Sequence, residues 1–119
     1  MIFKFALIGL EIQNKNVSIK LENLDPLTIN LLKIGDVQKD INGKVIANIT
    51  GIKRIPRDNW PREDVIITAT LSTNFKDNAL LFNEVPISLG KYIFIQTEKT
   101  LLYGYIINIG EGKETIQER

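Results

Sequence analysis

The densest run of chemically versatile side chains is Lys53-Arg54-Ile55-Pro56-Arg57-Asp58-Asn59-Trp60-Pro61-Arg62, which holds three of the four arginines and the only tryptophan. Guanidinium groups grip phosphates and carboxylates, and an indole stacks on bases or anchors a protein interface. Lys53, Arg54, Arg57, Trp60 and Arg62 are therefore candidate partner-binding residues. Asp58, Glu63 and Asp64 dilute the positive charge of the stretch. The plainer alternative is a Trp60 that caps the core, with solvated arginines around it.

Catalytic chemistry has little to work with. The chain contains no histidine and no cysteine, which removes the commonest general base, the thiolate nucleophile and cysteine-based zinc sites. Ser18, Ser72 and Ser88 have no histidine to activate them, and no motif supports a serine–lysine dyad. Glu63-Asp64 reads as a solvated strand start rather than an acid–base pair. Asp36, Asp40 and Asn42 lack the spacing of a calcium loop. No phosphate-binding glycine motif occurs. The expectation is a non-enzyme with no cofactor and no metal. Tyr103-Gly104-Tyr105 puts two rings on one face of a strand. That is either a small aromatic platform or ordinary core or sheet-face packing.

The elements that carry these residues read as strands. Isoleucine leads the apolar set, and β-branched side chains pack well on a pleated surface. A length of 119 residues suits one domain. A net charge of +1 gives the molecule no strong field to attract nucleic acid or an acidic membrane.

Residues 2–12 read as a strand apolar on both faces, with Phe3, Phe5 and Leu7 as candidate partner-binding residues. Such a strand needs cover on both sides, so it is expected to be central in the sheet or to pair with another subunit; the alternatives are a truncated anchor or a processed signal. A turn is expected at residues 14–16, followed by an alternating strand over 17–22. Asp25-Pro26 predicts a helix over 26–33, ended by Gly35 as a C′ residue. Asn42-Gly43 predicts a type I′ hairpin, and Gly51 marks a bulge or bend in the return strand. Residues 53–63 are expected to be irregular. Strands are expected over 64–72, 79–82, 85–87, 92–96 and 100–109, with a polar turn at 74–78. Residues 111–119 form a charged tail expected to fray. The sum is about eight or nine short strands and one short helix. It predicts a single all-β domain over residues 1–110, a mainly antiparallel small barrel or sandwich.

Gly35, Asp36, Asn42 and Gly43 stand out as structural turn residues. Ile34-Gly35-Asp36, followed by Asn42-Gly43-Lys44-Val45-Ile46-Ala47-Asn48-Ile49, resembles the GD-box arrangement of small β-barrels. There the aspartate accepts backbone N–H groups and braces the fold. The chain also resembles an uncharacterised bacterial family with an N-terminal membrane anchor and an extracytoplasmic β domain. The matching pieces are Val17-Ser18-Ile19, Asn23-Leu24-Asp25-Pro26, Lys33-Ile34-Gly35-Asp36, Asn42-Gly43-Lys44-Val45-Ile46, Phe82-Asn83-Glu84-Val85-Pro86-Ile87, Gly90-Lys91 and Tyr103-Gly104-Tyr105-Ile106-Ile107-Asn108-Ile109. That resemblance implies a β fold on the outer side of a membrane, in a cell-envelope complex, with no known activity. This sequence departs from the family at the anchor, since about ten apolar residues precede Glu11 where roughly twenty span a bilayer. Gly90-Lys91-Tyr92-Ile93 is similar to a strand of the mammalian-cell-entry lipid-transport domain, which implies apolar loops facing lipid in a ring of subunits.

Two functional readings follow, ranked ahead of an enzyme acting on polysaccharide through carboxylates. The first is a binding or assembly module that associates with itself or with an envelope protein. The second is a nucleic-acid-binding barrel that uses the Lys53–Arg62 stretch.

Overall fold

Alternation with period two sets the architecture. Val17, Ile19 and Leu21, then Val65, Ile67, Ala69 and Leu71, then Ile93 and Ile95, then Leu102 and Ile106 are buried, with more exposed neighbours between them. Each run therefore lies on a strand with one face in the core. A computed structural model describes residues 12–58 and 61–111. Among these residues β1 is Ile12–Leu24, α1 Pro26–Leu31, β2 Val37–Lys39, β3 Val45–Pro56 and β4 Glu63–Lys76. They are followed by β5 at Ala79–Phe82, β6 at Val85–Pro86, β7 at Tyr92–Gln96 and β8 at Leu101–Glu111.

All eight strands form one antiparallel sheet, with the path β2-β3-β4-β1-β8-β7. It curls until its two ends nearly meet, so of the all-β barrel or sandwich expected from sequence the nearly closed small barrel is the fold. Register shifts at Ser18/Ile19, Gln38/Lys39 and Ile49/Gly51 add local twist that helps so short a sheet curl. The bulge expected at Gly51 is among them. The core joins the inward residues of β1, β3, β4, β7 and β8 to Ile29 and Leu32 from the α1 segment and to Phe82 and Ile87. The spine is β4: one edge pairs with β1, and the other pairs first with β3 and then with β5.

Several boundaries differ from the sequence expectation, each for a local reason. No turn interrupts residues 14–16. Asn16 stays in β1 because its side chain accepts from Thr70 Oγ1 (2.9 Å) and donates to the Glu111 carbonyl (3.1 Å). The irregular stretch begins later than expected, because Lys53–Pro56 continue β3 opposite Ile66–Glu63. The polar turn at 74–78 shrinks to Asp77-Asn78, because β4 continues to Lys76 and pairs with Ala79. Glu111 is not part of a tail: it ends β8, with Lys15 Nζ at 2.8 Å from its carboxylate.

The helix begins as expected, with Thr28 N–H donating to Asp25 Oδ1 at 2.8 Å. It ends at Leu31 rather than at residue 33, since Leu32 turns to extended backbone and is buried. Gly35 consequently sits in a Lys33–Asp36 turn rather than at C′; its φ is +99° and its N–H donates to the Ile49 carbonyl. Asp36 does brace that turn, accepting from Lys33 N–H (3.0 Å).

Asn42-Gly43 is not a type I′ pair, because only Gly43 has positive φ. Asp40 closes the loop instead, its carboxylate accepting from the N–H groups of Asn42 and Lys44. The tight hairpins with two positive-φ residues are Asp77-Asn78 and Asn83-Glu84.

Candidate functional site

Odd residues of β7 turn their side chains inward and even residues turn theirs outward, so Ile93 and Ile95 are buried while Tyr92 and Phe94 are about half exposed. The same alternation on β8 buries Leu102 and Ile106 and turns Leu101, Tyr103, Tyr105 and Ile107 outward. Tyr92 is directly opposite Tyr105, and Phe94 is opposite Tyr103.

Four aromatic rings therefore line up on one outer face. The centroids of Phe94 and Tyr103 are 4.4 Å apart, those of Tyr103 and Tyr92 4.9 Å and those of Tyr92 and Tyr105 5.6 Å. Such cross-strand pairs stiffen the hairpin, yet Tyr92, Phe94 and Tyr103 each keep half or more of their surface in water (52%, 56% and 50%). Leu101 (59%) and Ile107 (41%) extend the face along β8. Lys20 of β1, paired with Tyr105, borders it. Tyr103 and Tyr105 share one outward face of β8, as the sequence places them, and their rings pack against Tyr92 and Phe94 across the hairpin.

The barrel seam runs beside this face. The β2 and β7 strands do not pair along their length. Instead, Gln96 N–H donates to Gln38 Oε1 (3.0 Å), and Lys99 Nζ lies 3.2 Å from Asp36 Oδ1. An open cleft of about 510 Å³ remains between Gly35–Lys39 and Gln96–Lys99. Gly35 and Asp36 line it, whereas Asn42 and Gly43 belong to the β2–β3 loop.

The basic stretch is arranged differently from a free phosphate grip. Arg54 forks onto Glu63, with Nε to Oε1 and Nη2 to Oε2 both 2.8 Å. Arg57 Nη1 meets Asp64 Oδ1 at 2.8 Å, and Arg62 Nη1 donates to the Asn23 carbonyl at 3.0 Å. Lys53 is exposed on β3. Glu63 and Asp64, expected to be a solvated strand start, are buried. The Arg54 fork holds the Glu63 carboxyl below its ordinary range, against the opposing effect of burial. For Asp64, burial pushes the pKa up. The Asn23 N–H (2.9 Å), Arg57 and Lys20 outweigh it, and the net shift is downward. The pair is a structural clamp between β3, β4 and the chain around Asn23.

Phe3, Phe5, Leu7 and Trp60 lie outside the described residues, as do residues 112–119 of the expected tail. Among the described residues there is no group of three or more acidic side chains placed to hold a metal ion. No helix among them is long and apolar enough to cross a membrane. Phe94 was missed as a site residue because the β7 sequence Tyr92-Ile93-Phe94-Ile95-Gln96 reads equally well as a strand buried on both faces. Only the packing of Ile93 and Ile95 into the core of the curled sheet shows which side is open. Comparison with protein-family models, with curated proteins and with solved structures finds no match.

Proposed function

We propose that this chain is a non-catalytic assembly module that self-associates through the aromatic outer face of the β7–β8 hairpin. The observation that carries it is the array Tyr105–Tyr92–Tyr103–Phe94, four rings in mutual contact on an exposed face. Aromatic side chains lose little rotamer freedom on binding and contribute much of the energy at interface centres. A neutral β7 adds no charge that would have to be desolvated.

The arginine contacts favour this reading over nucleic-acid binding. Arg54, Arg57 and Arg62 each donate to an acceptor within the chain, and phosphate would have to compete for those donors. Non-catalytic work is favoured by the same contacts, because Glu63 and Asp64, adjacent and buried, each face an arginine rather than an open cleft. A setting in a cell-envelope complex is part of the proposal on the family resemblance alone.

Light scattering at two protein concentrations tests the reading. The wild-type mass should rise with concentration. Tyr103→Glu, which places a charge in the middle of the array, should keep the monomer mass at both. A wild-type mass that stays monomeric at every concentration reached would end the proposal.

A further inference from the structure

Resting on that reading, we infer that the partner is a second copy of this chain, joined β7 to β7 in antiparallel fashion about a two-fold axis beside Ile93. The backbone of β7 shows which groups remain to be paired. Ile106 N–H donates to the Lys91 carbonyl, and Thr97 N–H donates to the Thr100 carbonyl, so odd residues bond toward β8. Strand geometry then turns the N–H and C=O groups of the even residues toward the opposite edge. Gln96 fits this rule, because its N–H points away from β8 to Gln38 Oε1. The N–H and C=O groups of Tyr92 and Phe94 share that edge, and among the described residues no strand pairs with it.

The edge is unguarded. Natural edge strands carry lysine, proline or a bulge that prevents pairing with another chain. Tyr92-Ile93-Phe94-Ile95-Gln96 has no charge and no proline, and its ladder with β8 runs without a register shift. Self-pairing that sets Tyr92 opposite Phe94 of the second copy, and Phe94 opposite its Tyr92, satisfies all four free groups on each chain. It leaves the Gln38–Gln96 bond in place, so that bond becomes the stop that fixes the register. The outward rings also meet across the axis, Tyr92 beside Phe94, and the aromatic row of one copy runs on into that of the other. A second copy therefore answers both the hydrogen-bonding edge and the aromatic face, and the uncharged strand brings no like-charge repulsion to the axis.

Two variants separate edge pairing from docking by the face alone. Phe94→Pro deletes an edge-facing donor while sparing the bonds to β8; Phe94→Leu keeps the donor and an apolar side chain. Self-association of the full chain should survive Phe94→Leu, weakened by roughly tenfold or less, and be lost in Phe94→Pro. Amide exchange in the wild type gives a second readout that needs no variant to fold. The Tyr92 and Phe94 amides should slow by about tenfold or more at associating concentrations. Association with those two amides unprotected, or a folded Phe94→Pro chain that associates like the wild type, overturns the β7 pairing and leaves face docking standing. A wild type that never associates removes both.

Discussion

Gly104 lies so close to the backbone carbonyl of Lys20 that a β-carbon at position 104 would overlap it and come within 2.7 Å of Leu21 Cδ2. Bare backbone on β8 lets that strand press onto β1, and this approach holds Tyr103 and Tyr105 at their place on the outer face. Gly104→Ala should cost about 2 kcal/mol or more, because the obstacle is largely backbone and cannot rotate aside. Gly51→Ala is the control: its new methyl would meet Thr68 Cβ at 3.5 Å, an ordinary contact. Its effect should stay within about 0.5 kcal/mol. Chemical denaturation of both variants checks the difference.

Acid should loosen the Arg54–Glu63 and Arg57–Asp64 clamp. Both carboxyls have lowered pKa values, Glu63 chiefly through the Arg54 fork, and Asp64 because the Asn23 N–H, Arg57 and Lys20 overcome burial. The folded chain thus binds these protons more weakly than the unfolded chain does. The stability they contribute is fully present above the ordinary carboxylate range and is lost as pH falls through the lowered folded values. Glu63→Gln and Asp64→Asn should melt below the wild type near pH 7, and the gap should narrow toward about pH 3. Thermal denaturation across that range reads it, and a gap that widens in acid contradicts the clamp.

The strand grammar was readable because inward residues alternate cleanly: Val17, Ile19 and Leu21 announce β1, and Val65 to Leu71 announce β4. Turn residues misled where a group outside the expected turn supplied the deciding bond. Asn14-Lys15-Asn16 looks like a turn until Thr70 and Glu111 engage Asn16. Asn42-Gly43 looks like a type I′ turn until Asp40 caps the loop. The arginines were legible as a cluster, but their acceptors were not: the pairing of β3 with β4 brings Asp64 to Arg57, and that of β1 with β4 brings the Asn23 carbonyl to Arg62. Tyr103 and Tyr105 were visible as one face; that this face points outward depends on the curled sheet turning Ile93, Ile95, Leu102 and Ile106 into the core.

Glu84 holds φ at +70°, a conformation that L-residues other than asparagine and aspartate resist. Glu84→Gly should therefore raise stability by about 0.5–1 kcal/mol despite the greater freedom of glycine when unfolded. An unchanged or lowered denaturation midpoint would show that the β5–β6 turn is relaxed as it stands.

Gln38 closes the seam with one side-chain bond to the Gln96 N–H. Gln38→Ala should speed amide exchange at Gln96 while altering global stability by no more than about 1 kcal/mol. A loss of cooperative unfolding would instead mean that this contact holds the whole barrel together.

Hydroxyl-radical footprinting of the wild-type chain at rising concentration addresses the aromatic face most directly. Phe75, exposed on β4 to 54%, serves as the internal reference. Oxidation of Tyr92, Phe94 and Tyr103 should fall as the chain associates, while Phe75 stays as reactive as in dilute solution. Rings on β7 and β8 that remain equally reactive throughout, or protection that falls on Phe75 instead, would contradict the assignment of this face as the surface where copies meet.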